Sequence, residues 1–179
     1  MILFGIDPGT AVTGYGVIRV KNNAVSWIDC GVITTEARAP LPVRLQRIYD
    51  EIVGHFERHG PQRVSIEQAF YAKNVHTTLL LGHARGVVML AAQKSGAQIA
   101  EYSPREIKKA ITGNGNAEKG QVEYMVKMLL SPPAAFERSD AYDALAVALC
   151  DFYNANTRSV TGAMTGVAHR NKFGGKFPL

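Results

Sequence analysis

At 179 residues, 46% apolar and 20% charged, the chain is long enough for one well-buried domain, and no break in composition marks a second. Two cysteines, Cys30 and Cys150, exclude a disulfide framework, Asp7 interrupts the N-terminal apolar run too early for a secretory signal, and no stretch approaches the roughly 18 apolar residues of a membrane span, so the expected compartment is the reducing cytoplasm. The net charge of +5 sits mostly in residues 154–179, where Arg158, Arg170, Lys172 and Lys176 stand without an acid; it reads either as solubility charge or as attraction to a polyanion.

The chain opens with MILFGID, an apolar run that reads as a strand buried on both faces, broken by the Pro8-Gly9-Thr10 turn. Thr13–Val20 and Ala24–Thr34 follow across Asn22-Asn23 and predict an antiparallel meander. Gly14 and Gly16 deny the second strand side-chain bulk beside Asp7, either to form a bulge or to admit a ligand. A helix is expected over 41–59, with Leu45, Ile48, Ile52 and Phe56 on one stripe, ended by Gly60-Pro61. The β-branched run that ends in Glu67 is then expected parallel to the first strand.

Residues 68–74 form a loop carrying Phe70, Tyr71 and Lys73, which either cover the core edge or meet an unpaired base and a phosphate. Residues 75–95 predict a helix apolar nearly all round, buried on more than one side, with core on one face and a second copy of the chain on the other; Gly82 and Gly86 would admit a close neighbour. Residues 97–102 read as a fifth strand. Ser103-Pro104-Arg105-Glu106 has the spacing of a capping box. Its short helix carries Arg105, Lys108 and Lys109, and the 113–116 glycine-asparagine loop, readable as a phosphate cradle, leads to Ala117-Glu118-Lys119, which opens another helix to Leu130. Pro132-Pro133 precedes the last helix, which holds Asp140 and Asp143 in its first turn. Residues 154–179 read as a weakly ordered basic tail outside a single domain of residues 1–153.

Asp7, Glu67, Asp140 and Asp143 are thus four acids at three element ends. Asp7 alone is explained equally by capping of its own turn. The parallel pairing brings Asp7 and Glu67 to one end of the sheet, and the three-residue spacing puts Asp140 and Asp143 on one helix face. Four converging carboxylates repel one another unless cations lie between them, and oxygen ligands without His or Cys suit Mg²⁺ or Mn²⁺ rather than Zn²⁺. Two such ions clamp the attacking and leaving oxygens of a phosphodiester.

The element order resembles the α/β ribonuclease H-like fold, a five-stranded mixed β-sheet flanked by helices on both faces. More narrowly, GIDPGTAVTGYGVI, SIEQAFYAKN, LGHARGV, SPREIKKAITGNGNAEKGQV and SDAYDALAVAL resemble the RuvC family of Holliday junction resolvases, from the first residue to about 150. The resemblance implies a homodimeric, Mg²⁺-dependent endonuclease that nicks two strands of like polarity symmetrically in four-way junction DNA, during recombination and repair. It would hold two Mg²⁺ per subunit, replaceable by Mn²⁺, and act with the branch-migration proteins RuvA and RuvB.

By the same resemblance, Asp7, Glu67, Asp140 and Asp143 are catalytic and metal-binding. Phe70 stacks in the junction, Lys108 and Lys119 contact phosphate, and Lys119 adds charge to the transition state. Tyr71, Lys73, Arg85 and Lys109 are further candidates for DNA contact. Three alternatives remain: a non-catalytic junction-binding module of the same fold, a related nuclease acting on RNA, and an ATPase of the actin and sugar-kinase type, whose phosphate loop also reads Asp-x-Gly-Thr. That last fold repeats its unit, and no second copy is visible here.

Overall fold

The computed structural model describes residues 1–68, 74–132 and 139–162, with side chains as far as residue 155. Its centre is one five-stranded sheet in the order β3-β2-β1-β4-β5, built from β1 (Ile2–Asp7), β2 (Val12–Lys21), β3 (Ala24–Thr34), β4 (Arg63–Glu67) and β5 (Gln98–Tyr102). β1, β2 and β3 form the expected antiparallel meander. Asn22 and Asn23 turn it at φ of 51° and 62°, the left-handed conformation that a two-residue hairpin requires. β4 pairs parallel to β1, and β5 parallel to β4, through crossover helices α1 (Leu41–His59) and α2 (Val75–Ser95).

Alternation along β1 divides the core. Phe4 and Ile6 pack on one face with Ile48, Ile52 and Phe56 of α1 and Ala84, Val88 and Ala91 of α2. Leu3 faces the other side, where α3 (Pro104–Thr112), α4 (Lys119–Leu130) and α5 (Ser139–Gly162) cover the sheet. The capping box of Ser103 and Glu106 opens α3 as its spacing predicts. Both cysteines are buried and free.

Gly14 and Gly16 neither admit a ligand nor make a bulge. They let α5 lie directly on the sheet: a Cβ at Gly14 would stand 2.1 Å from the Asp140 carbonyl oxygen, and one at Gly16 2.7 Å from the Leu145 amide nitrogen. Gly5 does the same against Ala144. The irregularity in this hairpin falls instead between Val17 and Ile18.

α5 is also latched from the far end of the sheet. Asp151, fully buried, accepts from Arg63 Nε at 2.8 Å and Nη2 at 2.6 Å, and from the Tyr102 hydroxyl at 2.7 Å. The helix runs past Asn154 to Gly162, beyond the expected end of the domain, and residues 163–179 lie outside the described residues.

Within one chain α2 buries one face, through Ala84, Val88, Ala91 and Ala92. Val75, Leu79 and Leu90 are exposed, and nothing lies within 4 Å of a Cβ placed at Gly82 or Gly86. By length and composition alone α2 is long and apolar enough to cross a membrane. Its buried face packs on the sheet, however, and mid-helix Arg85 is ion-paired with Glu101 of β5.

Candidate active site

β1 and β4 end side by side, with Ile6 opposite Ile66, so Asp7 and Glu67 emerge next to each other at one edge. The glycine-lined approach of α5 brings its N-terminal end to the same place, with Asp140 in the first turn and Asp143, expected there too, just beyond it: carboxylate oxygens of Asp7, Asp140 and Asp143 all lie within 4.8 Å of one another. Lys119, the first residue of α4, donates from Nζ to Asp143 Oδ2 at 2.6 Å. Asp7, Glu67, Asp143, Lys119 and Lys108 line one cleft of about 270 Å³. The Pro8-Gly9-Thr10 turn is held by Thr13, whose Oγ1 donates to the Gly9 carbonyl at 2.7 Å, so Asp7 is not spent on capping it.

The electrostatics show the cost of this convergence. Burial, then repulsion from Asp143 and Asp140, pushes the Asp7 carboxyl up to about 6. Burial and the Asp7 and Asp143 charges push Glu67 up to about 7. Burial also raises Asp143, although the Lys119 ammonium opposes it. The two lysines that line the cleft, Lys108 and Lys119, do not neutralise such a group. The donor set is all carboxylate oxygen at this end of the sheet, with charge in excess, and it suits a hard divalent cation.

The proposed DNA contacts separate into three sets. Lys108 and Lys119 flank the carboxylates. Arg85 is committed to Glu101 on the α2 side, and Lys109 is exposed around the α3 helix, in a hollow with Arg105 and the 113–116 loop. That loop is a poor phosphate cradle: its Asn114 and Asn116 amides donate to Thr112 Oγ1 and Asn114 Oδ1. Phe70, Tyr71 and Lys73 lie outside the described residues. The sequence reading missed Asp151, which anchors the helix bearing Asp140 and Asp143. A lone aspartate in the otherwise apolar run ALAVALCDF was its signal.

A sequence model of the family described as crossover junction endodeoxyribonuclease RuvC matches residues 3–151. The protein of that description from Pelotomaculum thermopropionicum is 45% identical over 150 residues, covering 84% of this chain and 92% of the other. Thermus thermophilus RuvC in complex with Holliday junction substrate superposes with a TM-score of 0.82 at 32% identity, over 88% of this chain and 96% of that one. The yeast mitochondrial Holliday junction resolvase, at 14% identity and a TM-score of 0.62, covering 91% of this chain and 86% of that one, shares the fold.

Proposed function

Since the chain belongs to the RuvC family of crossover junction endodeoxyribonucleases, we propose that it resolves Holliday junctions, cutting two strands of like polarity through hydrolysis at the Asp7–Glu67–Asp140–Asp143 cleft. The observation that carries the reading is the convergence of four unsubstituted carboxylates from β1, β4 and α5, with Asp7 and Glu67 held far above the usual carboxylate range. Intact acids disfavour the non-catalytic junction-binding module.

These four residues would hold Mg²⁺, with Mn²⁺ as a substitute. When bound, two such ions supply Lewis acidity that lowers the pKa of water and offsets charge on the leaving 3′ oxygen. The chain's own residues do the rest. Asp7 and Glu67 are fixed by paired strands, so ligand positions are set before substrate arrives. Lys119 Nζ presents a positive charge to the same cleft, beside Asp143, where negative charge develops on phosphorus oxygens. Lys108, which lines the same cleft, would meet the substrate backbone, and Phe70, three residues after Glu67 in sequence, would stack on an opened base.

The exposed apolar stripe of Val75, Leu79 and Leu90, with Gly82 and Gly86 open, supports a homodimer across α2. An isologous pair would present two identical clefts to a branched substrate of matching symmetry. We place the enzyme in the cytoplasm, with residues 1–153 as its nuclease domain and RuvA and RuvB as its partners. The test is cleavage of a synthetic four-way junction with Mg²⁺, beside linear duplex, RNA duplex and a metal-free control. Symmetric metal-dependent nicks confined to the junction are expected; tight binding without nicks would move the assignment to the non-catalytic module.

A further inference from the structure

The face of the sheet opposite the carboxylate cleft carries a second cluster of metal-ligating side chains. His55 and His59 are one turn apart on α1, with ring planes 7° from parallel and centroids 6.1 Å apart. Asp29 of β3 completes it: its Oδ2 lies 3.1 Å from His59 Nε2, and one ligand atom from each of the three residues falls within 4.8 Å of the others.

The position of Asp29 is unusual for its strand. Strict alternation would turn Ile28 and Asp29 to opposite faces. The register shift, in which Val17 pairs with Asp29 while Ile18 pairs with Trp27, adds one residue and presents both Ile28 and Asp29 to α1. Bulges of this kind re-aim a side chain, and here the result is a carboxylate facing two imidazoles.

His55 supplies the second, independent observation. It is only 7% exposed, packed with its ring centroid 4.0 Å from that of Tyr15, and its buried Nδ1 has no hydrogen-bond partner. A buried imidazole nitrogen without a partner is costly unless something else occupies it. The burial that leaves it unpaired also lowers its proton affinity, ahead of the neighbouring Arg58 charge, so the ring is held in the neutral form that ligates metals. Arg47 and Arg58 oppose a cation here, and Asp50 and Glu51 in the same adjoining groove offset them.

We propose that Asp29, His55 and His59 bind one borderline transition-metal dication, Zn²⁺ by preference, at a site separate from the nuclease centre. Two imidazoles and one carboxylate, with a fourth position open, are a donor set for Zn²⁺ and not for Mg²⁺. The cation would cross-link the C-terminal turn of α1 to β3, the edge strand of the sheet.

The test is a titration of the untagged full chain with Zn²⁺, and with Co²⁺ as a visible-absorbing substitute, in an Asp7→Asn background that weakens the carboxylate centre. One equivalent of Zn²⁺ is expected to bind, with the intense absorption of four-coordinate Co²⁺ and a rise in thermal midpoint. His59→Gln should weaken binding by more than about 100-fold, since loss of a ligand exceeds the 10–100-fold typical of an outer-shell change. Asp29→Asn, at a partly exposed strand position, keeps the fold available should the histidine variant misfold. Zn²⁺ affinity unchanged in Asp29→Asn, or absence of a Zn²⁺ equivalent from the Asp7→Asn protein, would overturn the site.

Discussion

Lys119 Nζ donates to Asp143 Oδ2 across 2.6 Å, joining the start of α4 to the N-terminal end of α5 in the carboxylate cleft. The ion pair is half in solvent, with 57% of the lysine side chain exposed, so salt and hydration screen it. Its contribution to folding is therefore expected to be small, well under ~1 kcal/mol. Its contribution to chemistry is not, because the same ammonium offsets the charge of Asp7, Glu67 and Asp143 together. Lys119→Met should slow junction nicking by about 10²–10³, in the range found for removing one transition-state charge partner, and shift the thermal midpoint little. Single-turnover cleavage beside a melting curve separates the two; equal losses in both would make Lys119 a structural residue.

The raised acids predict a pH dependence of stability that runs opposite to ordinary acid denaturation. Glu67 is lifted from 4.5 to about 7 and Asp7 from 3.8 to about 6, each by burial first and like charge second. The folded protein therefore binds more protons than the unfolded chain between about pH 4 and 7, and the stability these protons confer is fully present below the unfolded values and lost as pH rises through the folded ones. In chelator, an Asp7→Asn/Glu67→Gln variant should gain stability relative to the unsubstituted protein as pH goes from 5 to 8. Mg²⁺ should stabilise the unsubstituted protein more at pH 8 than at pH 6, since protons compete for the same oxygens. Melting curves across this range check both; a difference that stays constant with pH would contradict the electrostatic reading.

Close packing of α5 on the sheet gives a third expectation. A methyl group at Gly14 would meet the Asp140 carbonyl oxygen at 2.1 Å, a contact with backbone that cannot swing aside. Gly14→Ala should destabilise the fold by about 1–3 kcal/mol and displace Asp140 from its partners, so that nicking falls more than stability. Gly54→Ala, where nothing stands within 4 Å, serves as the control and should be neutral or slightly stabilising within α1. Denaturant midpoints and cleavage rates for the two variants decide it.

The contrast between these glycines marks how far the sequence could be read. The apolar runs before Asp7 and Glu67, the Asn22-Asn23 turn and the capping box at Ser103 are local signals, and each element lies where its pattern predicts. The pairing of Asp7 with Glu67 was equally legible, since a strand-helix-strand crossover dictates parallel neighbours. What stayed hidden depends on long-range contact. Gly14 read as a bulge or as room for a ligand because nothing nearby in sequence announces the helix that presses on it 126 residues later. Asp29 went unnoticed because a single extra residue in β3 decides which face it joins. The apolar composition of α2 called for cover on more than one side, but composition reports apolar surface and not what covers it.

Asp151 offers the last expectation, and it concerns how the catalytic helix is held. This aspartate is fully buried and takes both Arg63 bonds and the Tyr102 hydroxyl, tying α5 to β4 and β5 some two turns beyond Asp143. Removing Asp151 strips the guanidinium of partly buried Arg63 of two bonds, leaving it only Gln98, and leaves the buried Tyr102 hydroxyl without its acceptor, which is worse than never having had the pair. Asp151→Ala should thus cost about 3–5 kcal/mol, a large share of a typical domain's stability. Replacing the pair together, as Arg63→Met with Asp151→Leu, should recover much of that loss, because the desolvated charges are gone and the apolar surroundings accept the substitutes. Urea denaturation of the single and double variants forms the cycle. If the double variant is no better than Asp151→Ala, the latch acts through the geometry it imposes on α5, and its nicking rate should then be as low as that of the single variant.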